Sequence, residues 1–138
     1  MPYVSIRTIP KGDDLYLQRG DTWNIEIRRV GDISARTKLW FSLKSDVGDT
    51  DAQSLVQIEE TAGLEYVNGA AATVAGNGSI TVLDATIGNI DVRLEAVESA
   101  KLENVGNFYY DAQTLDTDIE TKVHGRAVVM GDVTRETS

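Results

Sequence analysis

The segment Thr22–Val30, with the sequence TWNIEIRRV, alternates apolar and polar side chains with a period of two. In an extended chain, Trp23, Ile25 and Ile27 lie on one face and the polar residues between them lie on the other. This pattern is typical of a β-strand with one buried and one exposed face. A Gly-Asp pair precedes the segment and another follows it, and such pairs favour turns.

The same alternation recurs farther along the chain. In Lys38–Lys44 we expect Leu39, Phe41 and Leu43 to be buried and Trp40 to lie on the polar face. Turns rich in glycine, aspartate and asparagine separate further apolar runs, which we predict to be strands at residues 55–59, 79–84, 89–95, 107–113 and 119–130. About seven or eight short strands with hardly any helix indicate an all-β protein, either an antiparallel sandwich or a barrel.

Two regions depart from this pattern. Residues 65–78 are rich in alanine and glycine, and we expect a hairpin or a long loop there, entered by one further strand at 64–67. Residues 97–105 have the only helical spacing in the chain and predict a single helical turn. A parallel α/β sheet would need longer helices than this between its strands.

The N-terminal stretch has a different character from the rest. Both prolines of the chain, Pro2 and Pro10, lie there, and proline is confined to sheet edges and irregular segments. We therefore predict an extended arm over residues 1–14 and one β-sandwich domain over residues 15–138. The arm is expected to tie onto a neighbouring subunit, and its candidate contact residues are Tyr3, Ile6 and Ile9.

The chain is acidic and lacks cysteine. Its 138 residues include 22 acidic and 13 basic side chains, for a formal net charge of -9. Nucleic-acid binding through a basic surface is therefore not expected, and cysteine nucleophiles, disulfides and thiolate metal sites are excluded. We expect no targeting signal in the first residues and no membrane span, because no apolar run approaches about 18 residues. This composition favours a small domain that binds other molecules or forms part of an assembly.

Side chains for catalysis are scarce. A nucleophilic triad requires a base, nearly always histidine, and the chain has a single one, His124. Because His124 lies in a strand-like run between two cations, we expect it to be structural. The adjacent Glu59 and Glu60 would point to opposite faces of a strand, so they cannot converge on one glycosidic bond. We therefore expect no enzyme, no catalytic residue and no cofactor.

Two acidic stretches supply oxygen ligands of the kind that calcium prefers. They contain Asp46, Asp49 and Asp51 in one loop, and Asp116, Asp118 and Glu120 in the other. Neither has the ligand spacing of an EF-hand loop. Aspartates that bond their own backbone in turns explain both stretches, and we expect no metal site, with calcium binding as the alternative.

Two aromatic side chains are predicted to lie on the outside of the sandwich. Phe108 and Tyr110 share a face that we assign to the core, so Tyr109 points outward, as does Trp40. Exposed aromatic side chains are enriched at the centres of interfaces, which makes Trp40 and Tyr109 contact candidates. The alternative is that the N-terminal arm covers them.

Three motifs occur in an order that resembles a known family. They are QRGDTW at 18–23, KLWFSLK at 38–44 before an Asp-rich turn, and GNFYYDAQ at 106–113, followed by Gly125 and by DVTR at 132–135. Together they resemble a family of small tailed-bacteriophage proteins that includes the immunoglobulin-like domain of baseplate upper proteins. The resemblance covers residues 16–135, and residues 64–92 are longer and richer in alanine and glycine than the family pattern.

This resemblance implies an immunoglobulin-like antiparallel β-sandwich that serves as a virion part and carries no catalytic residues. We accordingly expect a structural subunit of the tail, baseplate, neck or capsid surface, which assembles in the host cytoplasm and resides in the virion. Its expected partners are other virion proteins and further copies of itself, with neither nucleic acid nor membrane. The alternative is an immunoglobulin-like module that binds a carbohydrate or receptor, with Trp40 and Tyr109 as a sugar platform.

Overall fold

The structure is a computed structural model, and it describes residues 4–5, 14–45, 53–103 and 105–131, with side chains from residue 14 onward. Its strands are β1 (Val4–Ser5), β2 (Leu15–Gln18), β3 (Trp23–Ile27), β4 (Lys38–Lys44), β5 (Val56–Glu59), β6 (Gly63–Val67), β7 (Ala70–Ala71), β8 (Gly78–Asp84), β9 (Asn89–Leu94), β10 (Gly106–Leu115) and β11 (Ile119–Met130). A 3-10 turn spans Ala75–Asn77, and the helix α1 spans Ala96–Ser99.

The strands form two sheets that enclose one core. The small sheet has the order β1-β3-β9-β8, and the large sheet has the order β2-β11-β10-β4-β5-β6-β7. The expected all-β sandwich is therefore confirmed. The described residues hold eleven strands where the sequence predicted about seven or eight. Two pairings, of β1 with β3 and of β2 with β11, are parallel in a sandwich predicted to be antiparallel.

The alternation in β3 and β4 is the reason that these segments become strands. Trp23 and its period-two neighbours in β3 are buried, as are Leu39, Phe41 and Leu43 in β4, and all join one core cluster. The Phe41 and Tyr110 rings stack inside this core, with centroids 6.1 Å apart and planes at 26°. The core assignment of Phe108 and Tyr110 is also confirmed, and each buried aromatic ring contributes a large apolar area.

Part of the predicted arm belongs to the small sheet. Val4 and Ser5 pair in parallel with Ile25 and Glu26 of β3 in the same chain. The candidate contact residues of the arm, Tyr3, Ile6 and Ile9, lie outside the described residues. The division into an arm and a domain stays a prediction, and so does the contact of the arm with a neighbouring subunit.

The middle of the chain contains the hairpin that was one of the two alternatives predicted for residues 65–78, because β6 and β7 pair antiparallel, with Tyr66 opposite Ala71. β5 and β6 form a hairpin whose turn is held by the Glu59 carboxylate, which accepts hydrogen bonds from the backbone N–H groups of Thr61 and Ala62 at 3.1 and 2.6 Å. Gly63 then has φ +81°, and a Cβ there would collide with the Ala75 carbonyl. Only glycine fits this crossing, which brings the 3-10 turn against the hairpin.

The corner between β2 and β3 is tied to the short helix α1. The Ser99 hydroxyl donates to the Asp21 carbonyl at 2.6 Å and accepts from the Gly20 N–H at 3.1 Å. The Trp23 indole N–H donates to the Gln18 carbonyl at 2.9 Å. The helix is shorter than the predicted turn at 97–105, and in the described part of the chain no helix is long and apolar enough to cross a membrane.

Candidate functional site

The outer face of the large sheet, opposite the core, carries side chains that are distant in sequence. In the ladder between β4, β10 and β11, Tyr109 pairs with Lys44 on one side and with Arg126 on the other. In the next outward-facing row, Asp111 pairs with Ser42 and His124. Directly opposed side chains in antiparallel strands have Cβ atoms about 4.5–5.5 Å apart, so the members of each row are neighbours. Ser42 is buried, and the exposed surface of the second row is formed by Asp111 and His124.

A groove of about 510 Å³ runs over these rows. It is lined by Lys44, Tyr109, Tyr110, Asp111, Thr121, His124, Gly125 and Arg126, and we call it the β10–β11 groove. Tyr110 and Gly125, which pair with each other between the two outward-facing rows, also line it, although the Tyr110 ring lies in the core. Its volume is within the range of about 300–1,000 Å³ that is typical of ligand sites.

A β-bulge shapes one end of the groove. The pairing of β10 with β11 shifts between Ala112 and Gln113, whose partners are Val123 and Thr121, so Lys122 is the extra residue. Bulges bend a strand and increase its local twist. Because of the shift, Thr121 and His124 both line the groove although an uninterrupted strand would place them on opposite faces.

The charges of the groove differ from those of the whole chain. Its lining contains two permanent cations, Lys44 and Arg126, and one carboxylate, Asp111, while the chain has a net charge of -9. Arg126 donates to the Asp14 carboxylate at 2.6 Å, and this hydrogen bond and the negative charge raise the pKa of the guanidinium above its ordinary value. Both side chains remain substantially exposed, so the pair adds little stability and leaves the cation available at the rim.

Tyr109 and Trp40, the aromatic contact candidates, lie in different surroundings. Tyr109 is 47% exposed at the edge of the groove. Trp40 is half-buried on the same face, with the Lys38 ammonium 5.9 Å from its ring centroid. Trp40 pairs with Gln113 of β10, so about 13 Å of strand separates it from the row of Tyr109. The two rings therefore do not form one continuous platform.

His124 lies on the surface of β11, and its structural role stays a prediction. Its side chain is exposed and lines the groove beside Asp111 and Arg126. The sequence alone does not bring these three residues and Lys44 together, because their proximity depends on strand register. The tight turn between β10 and β11 does indicate part of this arrangement. When residues of the two strands are paired outward from the turn and the bulge is included, Tyr109 lies opposite Arg126.

The acidic candidates do not converge on a shared site in the described residues. Glu59 holds its own hairpin turn, while Glu60 receives two hydrogen bonds from Arg36 at 2.8 and 2.7 Å. Asp116, Asp118 and Glu120 are exposed at the hairpin end. Asp46, Asp49 and Asp51 lie outside the described residues. Elsewhere in the described chain, no three histidine, aspartate or glutamate side chains cluster as metal ligands.

Comparisons with known proteins add little to this geometry. No protein-family model matches the sequence, and no curated protein matches it. Among solved structures, bovine butyrophilin is similar with 12% identity and a TM-score of 0.45, over 94% of this chain and 55% of that one. This chain thus spans about half the length of the butyrophilin chain, and a similarity this distant carries no conclusion about family, ligand or partner.

Proposed function

We propose that this protein is a non-enzymatic structural subunit of a tailed-phage particle, located at the tail, baseplate, neck or capsid surface, and that it assembles through protein–protein contacts. The assignment to a phage rests on the ordered motifs QRGDTW, KLWFSLK and GNFYYDAQ and on the family they resemble. The proposal for assembly rests on one structural observation, the exposed Tyr109 held between Lys44 and Arg126.

The motifs contribute to this proposal in different ways. QRGDTW forms the corner at β2 and β3, where Gly20 and Asp21 bond Ser99 and Arg19 donates to the Leu102 carbonyl at 3.0 Å. Its side chains therefore maintain the fold. GNFYYDAQ instead has two faces, with Phe108 and Tyr110 in the core and Tyr109 at the groove. This third motif and Lys44 of KLWFSLK offer side chains to a partner.

The composition of the groove fits a protein contact. Tyrosine and arginine are enriched among the residues that dominate binding energy at interfaces, because they combine apolar area with directed hydrogen bonds. Tyr109 and Arg126 are direct neighbours across the β10–β11 ladder and both are exposed. The sheet that carries them is rigidly paired on both sides, so little conformational entropy is lost when a partner binds.

A second candidate function is a carbohydrate- or receptor-binding module with an immunoglobulin-like sandwich. The observation that favours it is the set of hydrogen-bonding side chains around one exposed tyrosine, with Asp111, Thr121 and His124 on the groove wall. Sugar sites use such a combination of an aromatic ring and a few fixed polar groups. The sequence predicted a sugar platform made of Trp40 and Tyr109. In this second candidate function, Tyr109 alone is the aromatic contact.

Mass spectrometry of purified particles tests the first proposal. The chain is expected in several copies per particle, and its absence from particles of the phage that encodes it would overturn the assignment. A Tyr109→Ala phage is expected to contain fewer copies, while a Leu83→Ala phage is the matched control because Leu83 is exposed to 55% far from the groove. Specific glycan binding by the purified chain, lost in Tyr109→Ala, would instead support the second function.

A further inference from the structure

We propose that the β10–β11 groove receives the hairpin tip of a second copy of this chain, so that copies join tip to groove. The hairpin tip is defined as residues 115–120, where β10 turns into β11. The inference rests on the proposed function, because it names the partner of the assembly surface. It also specifies which part of that partner makes the contact.

The hairpin tip combines an apolar side chain with negative charge. Ile119 is 63% exposed, more than any other large apolar side chain among those described. Asp116 and Asp118 precede it and are both exposed, and Glu120 follows it with an ion pair to Lys122 at 3.3 Å. An exposed isoleucine at the end of a hairpin is an anchor that a partner can bury.

The groove offers the complementary surface. The Tyr109 ring supplies apolar area, and Lys44 and Arg126 lie on either side of it. In this arrangement Ile119 of one copy packs on Tyr109 of the next, with the aspartates beside it facing the two cations. Because the chain has a net charge of -9, most other surfaces of two copies repel one another. The groove is the less repulsive surface for an acidic tip, because its lining has two permanent cations and the single carboxylate of Asp111, with Arg126 also bonded to Asp14.

The geometry makes the contact intermolecular. The row of Tyr109 and the tip at Leu115 belong to one continuous strand, and about 20 Å of that strand lies between them. The hairpin of one copy therefore cannot place its tip in the groove that its own strands form. Each copy presents one tip and one groove at different positions, so two copies can exchange tips around a two-fold axis, or a series of copies can continue into a ring or filament.

Analytical ultracentrifugation of the full chain tests the proposal. Wild type is expected to associate with increasing concentration, and about 1 M NaCl is expected to weaken association because it shortens the Debye length to about 3 Å. Ile119→Ser in the tip and Tyr109→Ala in the groove are each expected to weaken association at least about tenfold. Leu83→Ser, exposed but outside both surfaces, is the control and should associate like wild type. Circular dichroism verifies that each variant is folded.

A mixing experiment tests whether the tip of one copy contacts the groove of another. An equimolar mixture of Ile119→Ser and Tyr109→Ala retains one intact tip and one intact groove per pair, so it should form heterodimers and nothing larger. A wild-type chain that stays monomeric up to about 1 mM overturns the proposal, as does association that either variant leaves unchanged. A monomeric chain present in particles would refute this contact alone, whereas a self-associating chain absent from particles would refute the phage function.

Discussion

Gly125 of β11 lies opposite Tyr110 of β10, and the phenol ring covers the position that a side chain at residue 125 would occupy. A Cβ there would be 2.9 Å from both Cε2 and the hydroxyl oxygen of Tyr110. The ring cannot move aside easily, because it is 2% exposed and stacks on Phe41. This contact lies in the core of the sandwich, at a strand pair that also lines the β10–β11 groove.

Gly125→Ala should therefore destabilise the protein. Placing one methyl group against a fixed ring forces a shift of backbone or rotamer, and overpacking of this kind costs about 1–3 kcal/mol. Urea unfolding followed by tryptophan fluorescence measures the change. Gly76→Ala is the control, because a Cβ at Gly76 meets no atom within 4 Å, and its effect should stay within about 0.5 kcal/mol. Equal stabilities of the two variants would contradict the role assigned to Tyr110.

The aromatic core provides a second prediction. Phe41 is 1% exposed and is the stacking partner of Tyr110, so Phe41→Ala removes a buried ring and leaves a cavity. The expected loss in the free energy of unfolding is about 3–5 kcal/mol. Tyr109→Ala, in the neighbouring strand but exposed, should change stability by about 0.5 kcal/mol or less in the same assay. A small effect at Phe41 would mean that the two sheets do not pack as described.

A third prediction concerns the corner that Ser99 holds. Its buried hydroxyl serves both the Gly20 N–H and the Asp21 carbonyl, so Ser99→Ala leaves two backbone groups without this partner. Unpaired buried polar groups cost about 1–3 kcal/mol, and we expect a destabilisation of that size. The exposed Ser79 of the edge strand β8 is the matched control. Thermal unfolding that is indistinguishable between the Ser99→Ala and Ser79→Ala variants would refute the prediction.

Glu98 makes stability dependent on acid pH. Burial raises the pKa of this carboxyl, but hydrogen bonds from the Asn77 amide at 2.7 Å and the Lys101 ammonium at 3.0 Å outweigh it. The pKa in the folded state is therefore below the ordinary value of 4.5. As the pH falls, the unfolded chain takes up this proton first. The stabilisation is complete above the ordinary value and is lost as the pH falls through the pKa of the folded state.

The expected result is a free energy of unfolding that decreases from about pH 5 to about pH 3, with a smaller decrease in Glu98→Gln. Denaturant titrations at successive pH values measure this slope. Glu103→Gln, at an exposed position on the same connection, should keep the wild-type slope. If Glu98→Gln shows the same acid slope as wild type, the hydrogen bonds to Asn77 and Lys101 do not control this titration.

The sequence predicts those parts of the fold in which burial alternates locally. β3 and β4 follow directly from their period-two patterns, and the inward position of Phe108 and Tyr110 follows from the same rule. β1 and β7 contain two residues each, too few for any alternation to be recognised. β5 is buried on both faces, with Gln57 bonded to Ser42, so it shows little of the contrast between its faces.

The groove is decided by tertiary structure. The sequence by itself determined that Tyr109 points away from the core, because Tyr110 beside it must point inward. It did not determine that Lys44, Arg126 and His124 surround Tyr109, because their proximity depends on the register of three strands and on the bulge near Gln113. The alternation of apolar and polar residues indicates which face of a strand is buried. Pairing between strands depends on contacts between residues that are distant in sequence, and these contacts form only when the chain folds.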